Sequence, residues 1–288
     1  MEPTKTHFEQ GSGNCYLIEN AINETTHGEY FYRLKNEVNW QHMLNRGNPV
    51  PRLVAVQGEI DHEGTAPLYR HPADEEPPLL AWTPSVDYLR KHAETLLSTR
   101  FNHALIQYYV DASHCIGRHS DKTLDITRGS DICNFSFGAS RVMLVRDKNA
   151  NTEGTHPSSR ISLSNTSLFV LDWETNRLCH HQINKDGRDD CLKTSDETDF
   201  DGGRISITFR SVATFIRADR RIFGQGAICK NSAELNNQKP HSPPSLDEEV
   251  AMLNAFSEEN KDPQFDWDTH YKQGFDAINF KIINSTSE

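Results

Sequence analysis

The chain has 288 residues, 35% of them hydrophobic, with a mean hydropathy of -0.69 and a formal charge of -11. That length buries one sizeable core with material left for an extra element, and no apolar run approaches a membrane span. The charge looks hostile to nucleic acid, but residues 231–288 carry eleven acidic side chains against four lysines, or -7, which leaves -4 for residues 1–230. A local basic stripe on so mildly acidic a body is compatible with DNA or RNA. The segment Met1–Asn20 lacks the basic start and apolar centre of a signal peptide. The six cysteines are scattered without a Cys-x-x-Cys pair. Neither a zinc site nor a disulfide framework is expected, and a reducing intracellular location, cytoplasm or nucleus, fits best.

In chain order, Thr26 to Val38 is the first helical segment, with Phe31, Leu34 and Val38 on its apolar face. Prolines exclude a helix over Arg46–Gly58, where Leu53–Val56 suits a short strand. Residues 62–84 are loop-rich, hold the acidic run Asp74-Glu75-Glu76, and place two aromatics, Tyr69 and Trp82, near Arg70. By residue type they fit a loop with its aromatics tucked inward better than a lid that stacks planar groups. Pro84 opens a helix to about Ser98, with Val86, Leu89, Leu96 and Leu97 near one face, suited to packing beneath a sheet. Short strands follow at His103–Val110, Ile132–Gly138, Arg141–Arg146, Ser167–Asp172, Leu178–Asn184 and Arg204–Arg210. Their spacing predicts a β-sandwich or barrel, not a parallel α/β sheet, and no Gly-rich phosphate loop follows any of them.

Two polar connections, 147–160 and 185–203, interrupt the strands, and the second is expected to be exposed or partly disordered. Residues 231–244 read as a linker. Ser245-Leu-Asp-Glu248 has capping-box spacing and opens a helix to about Ser257, whose buried side is expected to be Leu246, Val250 and Leu253. Phe265-Asp-Trp267 and residues 275–283 are aromatic enough to dock on the body.

The chemistry concentrates in three places. His119 and Asp121 stand two residues apart, and in an extended strand such a pair faces one cavity. With 14 histidines in the chain, that match alone is weak. Along Arg204–Arg210, alternation puts Ile205, Ile207 and Phe209 on one face and Arg204, Ser206, Thr208 and Arg210 on the other. Two inward arginines need an anion, and a guanidinium fork holds a carboxylate bidentately, so a dicarboxylate co-substrate fits. A further histidine is offered by His180 or His181, which face opposite ways on a strand. Two histidines, an aspartate and an inward arginine make the 2-His-1-carboxylate arrangement of non-haem Fe(II) oxygenases, which leaves positions open for co-substrate and oxygen.

From about Trp40 to Phe215 the chain resembles the AlkB-type Fe(II)/2-oxoglutarate dioxygenases. The likeness is carried by Phe101-Asn102-His103-Ala-Leu-Ile-Gln-Tyr-Tyr109, Ile116-Gly117-x-His119-x-Asp121, Ser136-Phe137-Gly138-Ala139-Ser140-Arg141 and Arg204-Ile-Ser-Ile-Thr-Phe-Arg210. Pro51-Arg52 and Trp82-Thr83-Pro84 match the family's substrate-lid region. The resemblance implies an α+β, mainly β fold: a double-stranded β-helix (jelly roll) core at about 100–216, buttressing N-terminal helices and a lid at about 40–84. These form a domain of residues 1–230, followed by an acidic C-terminal helical extension, 231–288, packed on the body. It implies His119, Asp121 and His181 as Fe(II) ligands, His181 rather than His180 because Gln182-Ile183 follow in the family's pattern. Arg204 with Tyr109 would bind the distal carboxylate of 2-oxoglutarate, and Arg210 would lie near its metal-chelating end. Gln107 and Ser206 stand where the family commonly has asparagine, and either keeps a hydrogen bond. The implied reaction spends O2 in oxidising 2-oxoglutarate to succinate and a substrate C–H to C–OH. Where that carbon is bonded to nitrogen, the product collapses and releases an aldehyde.

For the substrate, the lid likeness favours an alkylated nucleobase in DNA or RNA. Tyr69 and Trp82 would stack on a flipped base and Arg52 would meet a phosphate. Against it stands Thr123, two residues after the metal aspartate, where nucleic-acid-repairing members tend to carry an acid that attracts a cationic base. Thr123, the acidic balance and the lack of a Lys/Arg run fit hydroxylation of a small-molecule metabolite or a protein side chain instead. A catalytically silent binding module fits least, given the complete triad and both arginines. The chain is expected to act as a monomer, away from membranes.

Overall fold

Strands with one apolar and one polar face bury the apolar side only by pairing edge to edge and packing face to face. The computed structural model describes residues 3–10, 13–45, 47–73, 76–149, 158–237 and 244–278. Its elements are β1 (Thr4–Gln10), β2 (Gly13–Glu19), α1 (Glu29–Glu37), β3 (Gln41–Asn45), β4 (Asn48–Gly58), β5 (Ala66–Pro67), β6 (Leu79–Ala81), α2 (Pro84–Leu97), β7 (His103–Tyr109), β8 (Ile116–His119), β9 (Ile132–Gly138) and β10 (Arg141–Asp147). There follow β11 (Ser159–Leu163), β12 (Ser167–Leu171), α3 (Trp173–Leu178), β13 (Cys179–Ile183), α4 (Ser195–Thr198), β14 (Arg204–Arg210), β15 (Thr214–Ile216), β16 (Ile222–Gly224), α5 (Ser232–Asn237), α6 (Leu246–Lys261) and α7 (Trp267–Tyr271).

The major sheet runs β1-β2-β12-β9-β14-β7-β4-β3, with β6 beside β4, and the minor sheet runs β11-β10-β13-β8. Together they form the double-stranded β-helix that the alternation and the motifs predict. Two registers matter for function. On β14 and β7, Arg204 faces Tyr109, Ser206 faces Gln107 and Arg210 faces His103. On β13 and β8, His181 faces His119. The outer face of the major sheet carries Ile205, Ile207 and Phe209 against Phe31 and Leu34 of α1 and Val86, Leu89 and Ala93 of α2. Between the sheets a second core holds Met143, Val145, Ile161, Phe169, Leu171 and Ile183. Among the described residues, no helix is long and apolar enough to cross a membrane.

Four expectations are revised. The apolar residues of α6 do not form its buried side: Leu246, Val250 and Leu253 are 72%, 48% and 39% exposed, while Met252, Ala255, Phe256 and Glu259 are buried. The face that is buried instead carries Met252, Ala255 and Phe256 into a cluster with Leu124, Phe265 and Tyr271, and sets Glu259 on Thr123 and Tyr271. In α2, Leu96 is exposed. The 185–203 connection is ordered, with α4 capped by Thr194 and Glu197. There Arg188 donates to Asp186 and Glu197, and Phe200 packs 4.7 Å from Phe31, ring to ring. Strands β1 to β3 form around a helix that is the one element predicted before Arg46. Asp74-Glu75, most of the 147–160 connection, part of the 231–244 linker and residues 279–283 lie outside the described residues.

The C-terminal segment is held by Arg70, which is fully buried. Its guanidinium donates to both Asp125 carboxylate oxygens, at 3.0 and 2.7 Å, and to the carbonyls of Gly226, Phe275 and Ala277. All five N–H groups are thereby used. Gly226 must be glycine, because a Cβ there would lie 2.4 Å from Asp125 Oδ1. Removing one partner of a buried pair strands the other charge. Arg70→Met and Asp125→Ala are each expected to cost about 3–5 kcal/mol in urea unfolding. Asp268→Asn, which breaks the exposed pair with Arg128, should change stability by about 0–1 kcal/mol. Equal effects would contradict a clamping role for Arg70.

Candidate active site

The register of β8 and β13 brings two imidazoles face to face, with His119 and His181 ring centroids 4.3 Å apart. Asp121, just past the end of β8, turns its Oδ1 toward both, 3.8 Å from His119 Nε2 and 4.0 Å from His181 Nε2. Each of the three offers a ligand atom within 4.8 Å of the others. The other carboxylate oxygen, Oδ2, accepts from Arg210 Nε at 3.1 Å and Nη2 at 2.7 Å. One oxygen is thus held by the protein and the other faces the imidazoles. His119 Nδ1 donates to the Gly117 carbonyl at 2.8 Å, which fixes the tautomer and leaves Nε2 a lone pair.

Burial, and then the neighbouring His181, push the His119 imidazole down to about 3, and burial also lowers His181. Burial raises the Asp121 carboxyl, but Arg210 and the two imidazoles outweigh it and hold it well below the usual carboxylate range. Two neutral imidazoles and one ionised carboxylate are the donor set that suits Fe(II) with open positions. His180 points the other way, its Nε2 donating to the Asn260 carbonyl at 2.5 Å.

Beside the triad lies a cavity of about 60 Å³, space on the order of five water-sized groups and the scale of a compact dicarboxylate. Arg204, Ser206, Thr208 and Arg210 all line it, with Tyr109 and Gln107 from β7. Arg204 is 1% exposed. Its Nη2 donates to Ser136 Oγ at 2.7 Å and Asn134 Oδ1 at 3.2 Å, and its ring-facing side covers Tyr109 at 5.3 Å. Among the described residues no carboxylate pairs with it, and its Nε and Nη1 have no hydrogen-bond partner, nor has Nη1 of Arg210. Burial lowers Arg204 to about 10, so it stays charged at neutral pH. A buried cation with two unpartnered nitrogens calls for an anion. The residues therefore fit both Fe(II) and 2-oxoglutarate.

The four residues predicted to meet substrate lie elsewhere. Tyr69 is buried, its hydroxyl accepting from the Lys122 backbone N–H at 3.1 Å and its ring covered by Arg210 at 4.3 Å. Trp82 packs on Phe209 and beneath Arg90, on the helix side of the major sheet. Arg52 turns inward: Nη1 donates to the Cys115 carbonyl at 3.1 Å. The Gln107 amide meets its neighbours with its oxygen accepting from Arg52 Nε at 2.8 Å and its nitrogen donating to the Tyr109 hydroxyl at 3.3 Å. Tyr69 and Trp82 are thus packed inside the fold, and Arg52 is held by hydrogen bonds to its neighbours. Thr123 is buried, and its N–H and hydroxyl both donate to Glu259 Oε1.

Three contributors escaped the sequence. Asn176 of α3 accepts from the Asp121 N–H at 2.9 Å and donates to its carbonyl at 3.0 Å. Glu259 and Asn260 come from α6, far along the chain. Nothing in residue type marks such partners, because each contact spans 55 residues or more.

The 2OG-Fe(II) oxygenase superfamily matches residues 14–210, and the chain belongs to that superfamily. Within it the chain is of AlkB type, with the residues of an Fe(II)/2-oxoglutarate-dependent dioxygenase. It is 32% identical over 107 residues to the DNA oxidative demethylase ALKBH2 of Homo sapiens, which covers 35% of this chain and 40% of that relative. It is 30% identical over 131 residues to protein R406 of Acanthamoeba polyphaga mimivirus, covering 46% of this chain and 60% of that protein. The solved structure of OsALKBH1 aligns with a TM-score of 0.49 and 12% identity, over 72% of this chain and all of that one. The chain thus spans about half the length of these curated relatives.

Across β14 from Arg210 lies His103, 1% exposed, with its Nδ1 unpartnered. Burial, followed by Arg210 and His71, lowers its value well below normal. An unfolded histidine titrates near about 6.5. Above that pH neither state binds the proton; below it the unfolded chain takes up a proton that folded His103 refuses. The stability present above about pH 6.5 is therefore lost as pH falls, by about 1.4 kcal/mol per pH unit for each such group. In metal-free protein, His103→Gln should flatten this slope by about one such increment. An unchanged slope in urea titrations from pH 6.5 to 5 would show that His103 accepts its proton inside the fold.

Proposed function

We propose that the protein is an Fe(II)- and 2-oxoglutarate-dependent dioxygenase that removes alkyl groups from nucleobases in DNA or RNA. One observation carries the dioxygenase chemistry: the buried Arg204, with no carboxylate partner among the described residues, has two unpartnered nitrogens and lines the cavity that also holds the His119–Asp121–His181 triad. Bound Fe(II) supplies the oxidation of 2-oxoglutarate by O2 to succinate and carbon dioxide, coupled to hydroxylation of a substrate C–H. The chain's own residues bind and orient. Arg204 and the Tyr109 hydroxyl take the distal carboxylate of 2-oxoglutarate, with Ser206 and Gln107 beside them. Arg210 holds Asp121 so that one oxygen stays directed at the metal. The apolar walls, Leu105, Ile132, Phe169 and Ile183, limit water around the co-substrate. A methyl carbon hydroxylated on a base nitrogen then leaves as formaldehyde: its C–N bond breaks and the hydroxyl proton passes to the nitrogen.

The nucleobase assignment is supported by the likeness to a DNA oxidative demethylase and by Glu259. Thr123 cannot attract a cationic base, but it carries a buried carboxylate on its own N–H and hydroxyl, with the Tyr271 hydroxyl donating to Oε2 at 2.8 Å. The charge absent from position 123 is present beside it. All six cysteines are free, which supports a reducing intracellular location. A second reading, hydroxylation of a small molecule or protein side chain, is favoured by the inward placement of Tyr69 and Trp82 away from any stacking role.

With Fe(II) and 2-oxoglutarate, oligonucleotides methylated on a base ring nitrogen should release formaldehyde one-for-one with succinate. Glu259→Gln should slow turnover of the cationic base about 10- to 100-fold, the loss of one charge-assisted contact. No formaldehyde from any single- or double-stranded DNA or RNA, with succinate appearing in a metabolite screen, would favour the second reading.

A further inference from the structure

We propose that Asn260, in the last turn of α6, is a positioning residue for the metal centre. The C-terminal segment touches both stretches of chain that carry the ligands. Ser120 stands between His119 and Asp121, and its N–H donates to Asn260 Oδ1 at 3.0 Å, with its hydroxyl at 3.4 Å from the same oxygen. The Lys122 ammonium, on the far side of Asp121, donates to Asn260 Oδ1 at 3.2 Å and to the Ser120 carbonyl at 3.1 Å. On the other strand His180, beside the ligand His181, donates to the Asn260 backbone carbonyl. One residue therefore bridges the β8 turn and β13.

The arrangement has a counterpart on the body. Asn176 pins the N–H and carbonyl of Asp121, and Asn260 pins the preceding N–H. Each peptide N–H of the Ser120-Asp121 turn is thus held by an amide side chain, one from α3 and one from the C-terminal segment. The segment is itself anchored elsewhere, by Arg70 to the Phe275 and Ala277 carbonyls and by Lys148 to the Glu259 carbonyl at 2.6 Å. Its position is consequently fixed independently of the metal, and it can hold the ligand turn before metal arrives. Among the described residues, the hydrogen bonds to the Asn260 side chain all end on its oxygen, so the side chain works as an acceptor. Groups that orient metal ligands in this way are worth about 10- to 100-fold in metal affinity.

The inference rests on the triad as a metal site and not on the choice of substrate. Co(II) binding to the full, metal-free chain tests it, through the dissociation constant and the visible absorption of the bound ion. Asn260→Leu, which removes the acceptor and keeps the branching at Cγ, should weaken Co(II) binding about 10- to 100-fold and alter the spectrum. Asn260→Asp keeps the oxygen and should stay within about threefold of wild type on the same scale. A purely structural role would lower thermal stability while leaving the affinity and spectrum of the folded fraction unchanged, and that result overturns the proposal. So does equal weakening in Asn260→Leu and Asn260→Asp. If Asn260→Leu does not fold, His180→Leu, which cuts only the bond to the Asn260 carbonyl, decides: weaker Co(II) binding is expected, and wild-type affinity overturns the proposal. Failure of the wild-type chain to bind Co(II) would remove the metal site itself and the proposal with it.

Discussion

A guanidinium buried in a protein interior without a carboxylate beside it is a costly group, and Arg204 is such a group. The jelly roll places it there because β14 must alternate. Ile205, Ile207 and Phe209 are committed to the core under α1 and α2, so Arg204, Ser206, Thr208 and Arg210 are forced into the space between the sheets. Arg210 finds Asp121. Arg204 finds only a hydroxyl, an amide oxygen and the face of Tyr109. The cavity thus carries positive charge at its closed end and an ionised aspartate with two neutral imidazoles at the other. A dicarboxylate and a divalent cation complement those two ends together.

The metal end depends on more than its ligands. Asp121 is fixed through its side chain by Arg210 and through its backbone by Asn176. The loop that continues from it runs under the C-terminal segment, where Thr123 meets Glu259 and Asp125 meets Arg70. The same short stretch of chain therefore joins the metal-binding triad, the Thr123–Glu259 contact and the Arg70 clamp on the end of the C-terminal segment. The acidic C-terminal segment packs its Met252, Phe256, Phe265 and Tyr271 against Leu124 of that stretch, behind the residues that line the cavity.

Much of this was legible in the sequence, and the reasons are physical. The inward row of β14 followed from period-two alternation, and the triad followed from spacing plus the family motifs, because ligands must sit on paired strands to converge. His181 is the ligand and His180 is not, as opposite facing on β13 requires. The misses share one cause. Leu246, Val250 and Leu253 form an apolar stripe in the sequence, but α6 buries Met252 and Phe256 instead and sets Glu259 on Thr123 and Asn260 on Ser120, each more than 130 residues away. Tyr69, Trp82 and Arg52 carry the right chemistry to meet a base. Their positions are set by Lys122, Phe209 and Gln107, contacts that no local pattern encodes.

The central claim is that Arg204 and the triad together form one site for metal and 2-oxoglutarate. Calorimetric titration of 2-oxoglutarate into the Mn(II)-loaded chain tests it most directly, in wild type and in Arg204→Met. The predicted result is one molecule bound per chain, only in the presence of metal, with affinity reduced at least about 100-fold by Arg204→Met through loss of charge-assisted bonds. Binding that ignores the metal, or that survives Arg204→Met unchanged, would contradict the account.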